Sequence, residues 1–123
     1  MSAPIRVLLC DDVPDLRLIL RLNLEADQDV RIVGEAGDGV EAVEQARALQ
    51  PDIVLLDLSM PRLDGLEAIP LIREAAPDAA IVVFSGFLTE LVATQVLEAG
   101  ATSYLEKGSP HETLISTIRA AAA

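Results

Sequence analysis

The sequence predicts a parallel α/β fold, with five short strands alternating with five helices that cover both faces of one sheet. Three observations predict it. Ile53-Val54-Leu55-Leu56 is an unbroken run of large aliphatics, the pattern of a strand buried on both faces. Further short runs of strand character recur at Ile5 to Cys10, Val30 to Ala36, Ala80 to Phe84 and Ser103 to Glu106, separated by stretches with helical spacing. Four of these five runs end in polar residues: Asp11-Asp12, Asp57, Ser85 and Lys107.

Composition sets the outer bounds. The 123 residues suffice for one domain, expected over residues 1–123. A chain of this size buries roughly two-thirds of its unfolded surface, so its core needs neither disulfide nor metal. Apolar residues make up 51% of the chain, which excludes disorder. Aromatics are only 2%, so Val, Leu, Ile and Ala must fill the core. Cys10 is the single cysteine and forms no internal disulfide, which fits a reducing compartment. No apolar run approaches the ~18 residues of a membrane span, and Met1 to Pro4 is too short and polar for a signal peptide. A cytoplasmic protein is expected. Nine basic against twenty acidic residues give a net charge of −11, which argues against direct nucleic-acid binding, since that needs cations to displace counterions.

The elements follow in order. Ile5 to Cys10 is the first strand. Pro14 opens a helix in which Leu16, Ile19, Leu20 and Leu24 recur at helical spacing, with Arg17, Arg21 and Glu25 facing solvent. Val30 to Ala36 is the second strand, followed by a helix over Glu41 to Leu49 with Ala42, Val43, Ala46 and Leu49 inward. Ile53 to Asp57 is the third strand. A helix over Leu66 to Ala75 tolerates Pro70 only near its first turn. Ala80 to Phe84 is the fourth strand. Thr89 to Ala99 is a helix closed by Gly100 as a left-handed cap. Ser103 to Glu106 is the fifth strand, and Pro110 starts a last helix with Leu114, Ile115 and Ile118 inward.

Among doubly wound arrangements, the flavodoxin-like strand order 2-1-3-4-5 sets the first, third, fourth and fifth strands side by side. Their polar ends then converge at the carboxyl edge, where open α/β sheets bind ligands. Singly, each residue has a plainer reading: Asp12 as a helix cap, Ser85 as a turn residue, Lys107 as a solvated charge. Together they form a site. Clustered carboxylates repel unless a cation sits between them, and Mg2+ suits a few carboxylates with several waters. Lys107 adds a fixed positive charge and Ser85 a hydroxyl donor. An ionised Asp57 at such a site can attack phosphorus in line and form an acyl phosphate.

On these residues, together with Met60-Pro61, Asp64-Gly65 and Tyr104, the chain resembles the receiver domain of a two-component response regulator over residues 5 to 119. The resemblance implies Asp57 as phosphoacceptor. It implies Asp11 and Asp12 as Mg2+ ligands, Asp12 the more direct, with the Ser59 carbonyl and Asp57 completing the set. It implies Lys107, Ser85 and the amides of Ser59 and Gly86 as ligands of the phosphoryl oxygens, and Tyr104 as the aromatic whose rotamer follows Ser85. The implied partners are a sensor histidine kinase or phosphotransfer protein, with self-association or docking of a partner expected on phosphorylation. Gly34 to Gly39 and Leu105 to Gly108 are similar to the NarL/FixJ-type subgroup, whose members carry a helix-turn-helix output domain; this sequence stops after the last helix, as a stand-alone receiver or a fragment. Gly108 stands where many receivers have proline, and Gly86 where alanine is common. Ser59 and Phe87 are expected to flank the approach of hydrolytic water, and the bulk of Phe87 implies a long-lived phosphorylated state.

Three other readings compete. A haloacid-dehalogenase-type phosphatase wants a second aspartate two residues after the nucleophile, where this chain has Ser59. A flavodoxin-type cofactor site would be repelled by Asp11-Asp12. A degenerate receiver would bind partners without phosphorylation, but here every expected site residue is present. His111, the only histidine, follows Pro110 at a helix start and reads as a solvated or capping residue.

Overall fold

The structure is a computed structural model and describes residues 3–86 and 89–123; Phe87 lies outside them. The elements are β1 (Ile5–Cys10), α1 (Pro14–Glu25), β2 (Val30–Ala36), α2 (Gly39–Leu49), β3 (Ile53–Leu56), α3 (Gly65–Ala75), β4 (Ala80–Ser85), α4 (Glu90–Ala99), β5 (Ser103–Glu106) and α5 (His111–Ala122). The strands form one sheet in the order β2-β1-β3-β4-β5, and every pairing is parallel. This is the flavodoxin-like order expected from the sequence.

The aliphatic runs are buried on both faces because helices cover both. On one face Leu8, Val54, Leu56, Ile81 and Val83 pack with Ala42 and Ala46 of α2, Ile69 and Ile72 of α3, and Val96 of α4. On the other, Val7, Leu9, Ile53, Leu55 and Val82 pack with Leu24 of α1 and with Leu114, Ile115 and Ile118 of α5. Alternation along each strand divides its side chains between the two layers. Small residues on α2 let that helix sit close to the sheet.

Several boundaries differ from the expectation, each for a local reason. Helix α2 begins at Gly39 rather than Glu41, because the Asp38 side chain caps it by accepting the Glu41 amide at 2.8 Å. Helix α3 begins at Gly65, capped in the same way by Asp64. Pro70 therefore lies inside α3 rather than in its first turn, and the bond its missing N–H would give to the Leu66 carbonyl is forgone. Strand β3 stops at Leu56, so Asp57 stands just past it. Gly100 takes a positive φ of 121° at the end of α4, outside the left-handed helical well. On α1, Leu24 is buried, but Leu16 and Ile19 are 41% and 54% exposed, so the helical spacing of leucines there marks more apolar surface than the core receives.

Candidate phosphoryl-acceptor site

Three strands deliver the residues that meet at the carboxyl edge of the sheet: β1, β3 and β5. Asp11 follows β1 and is wholly buried. Its amide donates to the Ala36 carbonyl at the end of β2 (3.0 Å), and its Oδ1 accepts the Val13 amide at 2.9 Å. Asp57 follows β3 and is 4% exposed. Its amide donates to the Cys10 carbonyl at 3.0 Å, which continues the β1–β3 ladder one step and fixes the residue against its neighbour. Its Oδ1 accepts the Ser59 amide at 3.2 Å, within the expected reach of that amide. Asp12 is exposed. It does not cap α1, whose N-cap is Val13 with no side-chain bond.

Carboxylate oxygens of Asp11, Asp12 and Asp57 lie within 4.8 Å of one another. Lys107, just past β5, closes the group: its Nζ is 2.7 Å from Asp11 Oδ2 and 3.0 Å from Asp57 Oδ2. The Lys107 amide donates to the Ser85 carbonyl at 2.9 Å, so the end of β4 holds the lysine in place. Burial works against the Lys107 charge, but the hydrogen bonds it donates to Asp11 and Asp57, with the charges of those carboxylates, outweigh it and hold the ammonium above the ordinary lysine range. The carboxylate repulsion expected from the sequence is thus partly answered by this chain's own lysine.

An all-oxygen cluster of this kind fits a hard divalent ion such as Mg2+, which takes one or two carboxylates and keeps water. Asp11, Asp12 and Asp57 are the residues that would hold it. Ser85 is buried at the end of β4, and Gly86 follows it, exposed.

Two glycines shape the surroundings. A Cβ on Gly65 would stand 2.5 Å from both the Asp57 carbonyl oxygen and the Leu58 Cα, so the α3 start can approach the loop after β3 only without a side chain. Gly108 has φ 94°, which the proline ring forbids, so the turn after Lys107 is built for glycine rather than for the proline common there. Tyr104 is 44% exposed, its strand position paired with Val83 of β4. It lines a cleft of about 390 Å³ with Thr89, Glu90 and Ala93 of the α4 side and Ser109.

One group escaped the sequence reading. Arg17, expected to face solvent, donates from Nη1 to the Asp11 carbonyl and from Nε to Glu35 Oε1 at 3.1 Å. Its position on the polar side of α1 gave no sign of this; the long reach from α1 back to the loop before it appears only once β1, α1 and β2 are assembled.

Comparisons with known proteins bear on the family and the fold. Residues 7–119 match the response regulator receiver domain family. The chain is 44% identical over 117 residues to the transcriptional regulatory protein LiaR of Bacillus subtilis, covering 95% of this chain and 56% of LiaR. It is similar in structure to the signal receiver domain of a response regulator described as NarL from Mycobacterium tuberculosis, with a TM-score of 0.93, 30% identity and 98% of each chain covered. It also resembles a chain in the CheX–CheY–BeF3–Mg2+ complex of Borrelia burgdorferi, with a TM-score of 0.91, 25% identity, and 98% and 91% of the two chains covered. The chain spans about half the length of the transcriptional regulators it matches. Among the described residues no helix is long and apolar enough to cross a membrane.

Proposed function

This chain belongs to the response regulator receiver domain family, in its NarL/FixJ-like group, and we propose that it is a phosphoacceptor switch in which Asp57 takes a phosphoryl group from a sensor histidine kinase or phosphotransfer protein. The observation that carries this reading is the meeting of Asp11, Asp12, Asp57 and Lys107 at the carboxyl edge of the sheet.

In the proposed reaction an Asp57 carboxylate oxygen attacks phosphorus in line. The new O–P bond forms as the N–P bond of the donor phosphohistidine breaks, and the electron pair of that bond stays on the imidazole. Bound Mg2+ supplies charge neutralisation for the phosphoryl oxygens. Asp57 is the nucleophile, and burial keeps its carboxylate sparsely solvated. Asp11 and Asp12 would hold the metal, with the Ser59 carbonyl and Asp57. Lys107 exchanges its ion pair with Asp57 Oδ2 for one with a phosphoryl oxygen, and Ser85 and the Ser59 and Gly86 amides donate to the others. Water later hydrolyses the acyl phosphate, so the chain completes its own cycle without being a turnover enzyme on an external substrate.

Residues 1–123 act in this reading as one receiver unit in the cytoplasm. Phosphorylation draws Ser85 toward the phosphoryl group, Tyr104 turns toward the vacated space, and the α4–β5–α5 face changes. That face, or α1 with α5, then supports self-association or partner docking, and transcription is the output, in line with the regulators the chain resembles. Nucleic acid is not contacted by this unit.

Adding beryllofluoride with Mg2+ tests the site, followed by amide chemical shifts. Saturable shifts around Asp57, Ser85 and Lys107 are expected. No saturable change would leave a phosphorylation-independent interaction module as the better reading.

A further inference from the structure

Asp11 is fixed at each of its polar groups: the amide on Ala36, Oδ1 on Val13, Oδ2 on Lys107, and the carbonyl on Arg17 Nη1 at 2.5 Å. The carboxylate of Asp12 has no hydrogen bond or ion pair among the described residues, though its oxygens reach within 4.8 Å of the other two. What places it is the backbone. A peptide group is planar, so the Asp11 carbonyl and the Asp12 amide turn as one unit. Fixing that carbonyl therefore fixes the plane from which the Asp12 side chain departs.

The residue that fixes it is Arg17, and Arg17 is itself held. Its Nε donates to Glu35 Oε1 at 3.1 Å, and Glu35 Oε2 accepts from Arg21 Nη1 at 2.6 Å. Room for the guanidinium comes from residue 37: a Cβ on Gly37 would stand 3.2 Å from Arg17 Nη1. The chain of contacts thus runs from Arg21 through Glu35 and Arg17 to the peptide between the two aspartates.

We propose that Arg17, braced by Glu35, is a positioning residue that aims Asp12 at the divalent cation. The proposal rests on the reading of the acidic cluster as a Mg2+ site. It has a sign that separates it from simple electrostatics. A fixed positive charge near a cation site opposes the cation, so by charge alone Arg17→Met would tighten Mg2+ binding. Loss of positioning weakens it.

The test is calorimetric titration of the full chain with MgCl2 at constant ionic strength, with thermal unfolding run alongside to establish that each variant is folded. Arg17→Met is expected to weaken Mg2+ binding on the order of tenfold, the usual effect of losing an outer-shell partner. Arg17→Lys keeps the charge but loses the planar fork, and weakens it likewise. Glu35→Gln falls between wild type and Arg17→Met. In an Asp12→Asn background, adding Arg17→Met costs little more, because the ligand it aims has gone. Unchanged or tighter binding in Arg17→Met or Arg17→Lys overturns the proposal, as does a full loss that persists in the Asp12→Asn background. Should Arg17→Met fail to fold, Arg17→Lys and Glu35→Gln decide it in the same way. Failure of the underlying reading looks different: the wild-type chain itself takes up no Mg2+, and the proposal falls with it.

Discussion

Lys107 and Asp11 lie 96 residues apart in the chain, yet Nζ and Oδ2 are 2.7 Å apart. The same ammonium reaches Asp57, so one lysine pairs with two buried carboxylates that stand at the ends of neighbouring strands and offsets part of their charge. Removing it leaves both without a cation. Breaking a buried ion pair from one side costs about 3–5 kcal/mol, and because the Lys107 side chain is 25% exposed the expected loss in Lys107→Met is smaller, about 2 kcal/mol. Urea unfolding without divalent ions measures it. An unchanged midpoint would mean that the pair contributes nothing.

The pH dependence follows from the direction of the Lys107 shift. Its pKa is raised in the folded state, so the stability it contributes is fully present below the ordinary lysine value of about 10.4 and is lost as pH rises through the higher folded value. The stability gap between wild type and Lys107→Met should stay level from neutral pH to about 10 and narrow above it. A gap that closes between neutral pH and about 9 would contradict this sign.

Mg2+ should stabilise the fold by RT ln(1 + [L]/Kd), about 1.4 kcal/mol at tenfold excess over Kd. Because Lys107 already answers part of the carboxylate repulsion, the gain at saturating Mg2+ should be larger in Lys107→Met than in wild type. Asp12 is exposed, so solvent screens its share of the repulsion. Asp12→Ala should raise metal-free stability only slightly while removing most of the response to Mg2+. Thermal unfolding across a Mg2+ series reads both effects, and a melting curve indifferent to millimolar Mg2+ would count against the site.

Gly65→Ala tests the packing that seats Asp57. The added carbon meets backbone on both sides, the Asp57 carbonyl oxygen and the Leu58 Cα, each at 2.5 Å. Backbone cannot swing aside as a side-chain end can, so a loss of about 2 kcal/mol is expected. Wild-type stability in this variant would show that α3 and the Asp57 loop are less tightly joined than described.

Much of this was legible in the sequence, and the reason is local. Unbroken aliphatic runs such as Ile53 to Leu56 specify strands whatever surrounds them, and the polar residues that end them had to meet at one sheet edge once the strand order was set. Other features depend on partners that one-dimensional spacing does not show. Leu16 and Ile19 repeat as core residues do, yet the core of that face is filled by Leu24 and by Leu114, Ile115 and Ile118. Arg17 sits among solvent-facing positions, yet it turns back to the Asp11 carbonyl. Capping by Asp38 and Asp64 moved two helix starts upstream of the first apolar-periodic residue.

Tyr104 tests how phosphorylation is read. The residue is 44% exposed beside the cleft under α4, so an inward turn of its ring would change that surface. Beryllofluoride with Mg2+ should shift the amide signals of Thr89 to Arg119 and promote self-association in sedimentation, and Tyr104→Ala should weaken the association while leaving the shifts at Asp57 intact. Association that is the same in the variant would remove Tyr104 from the switch.

Intact-mass measurement after incubation with acetyl phosphate and Mg2+ tests most directly whether Asp57 alone accepts the phosphoryl group. Wild type should gain the mass of one phosphoryl group, and folded Asp57→Asn should gain none. One phosphoryl group on Asp57→Asn at the wild-type level would contradict it.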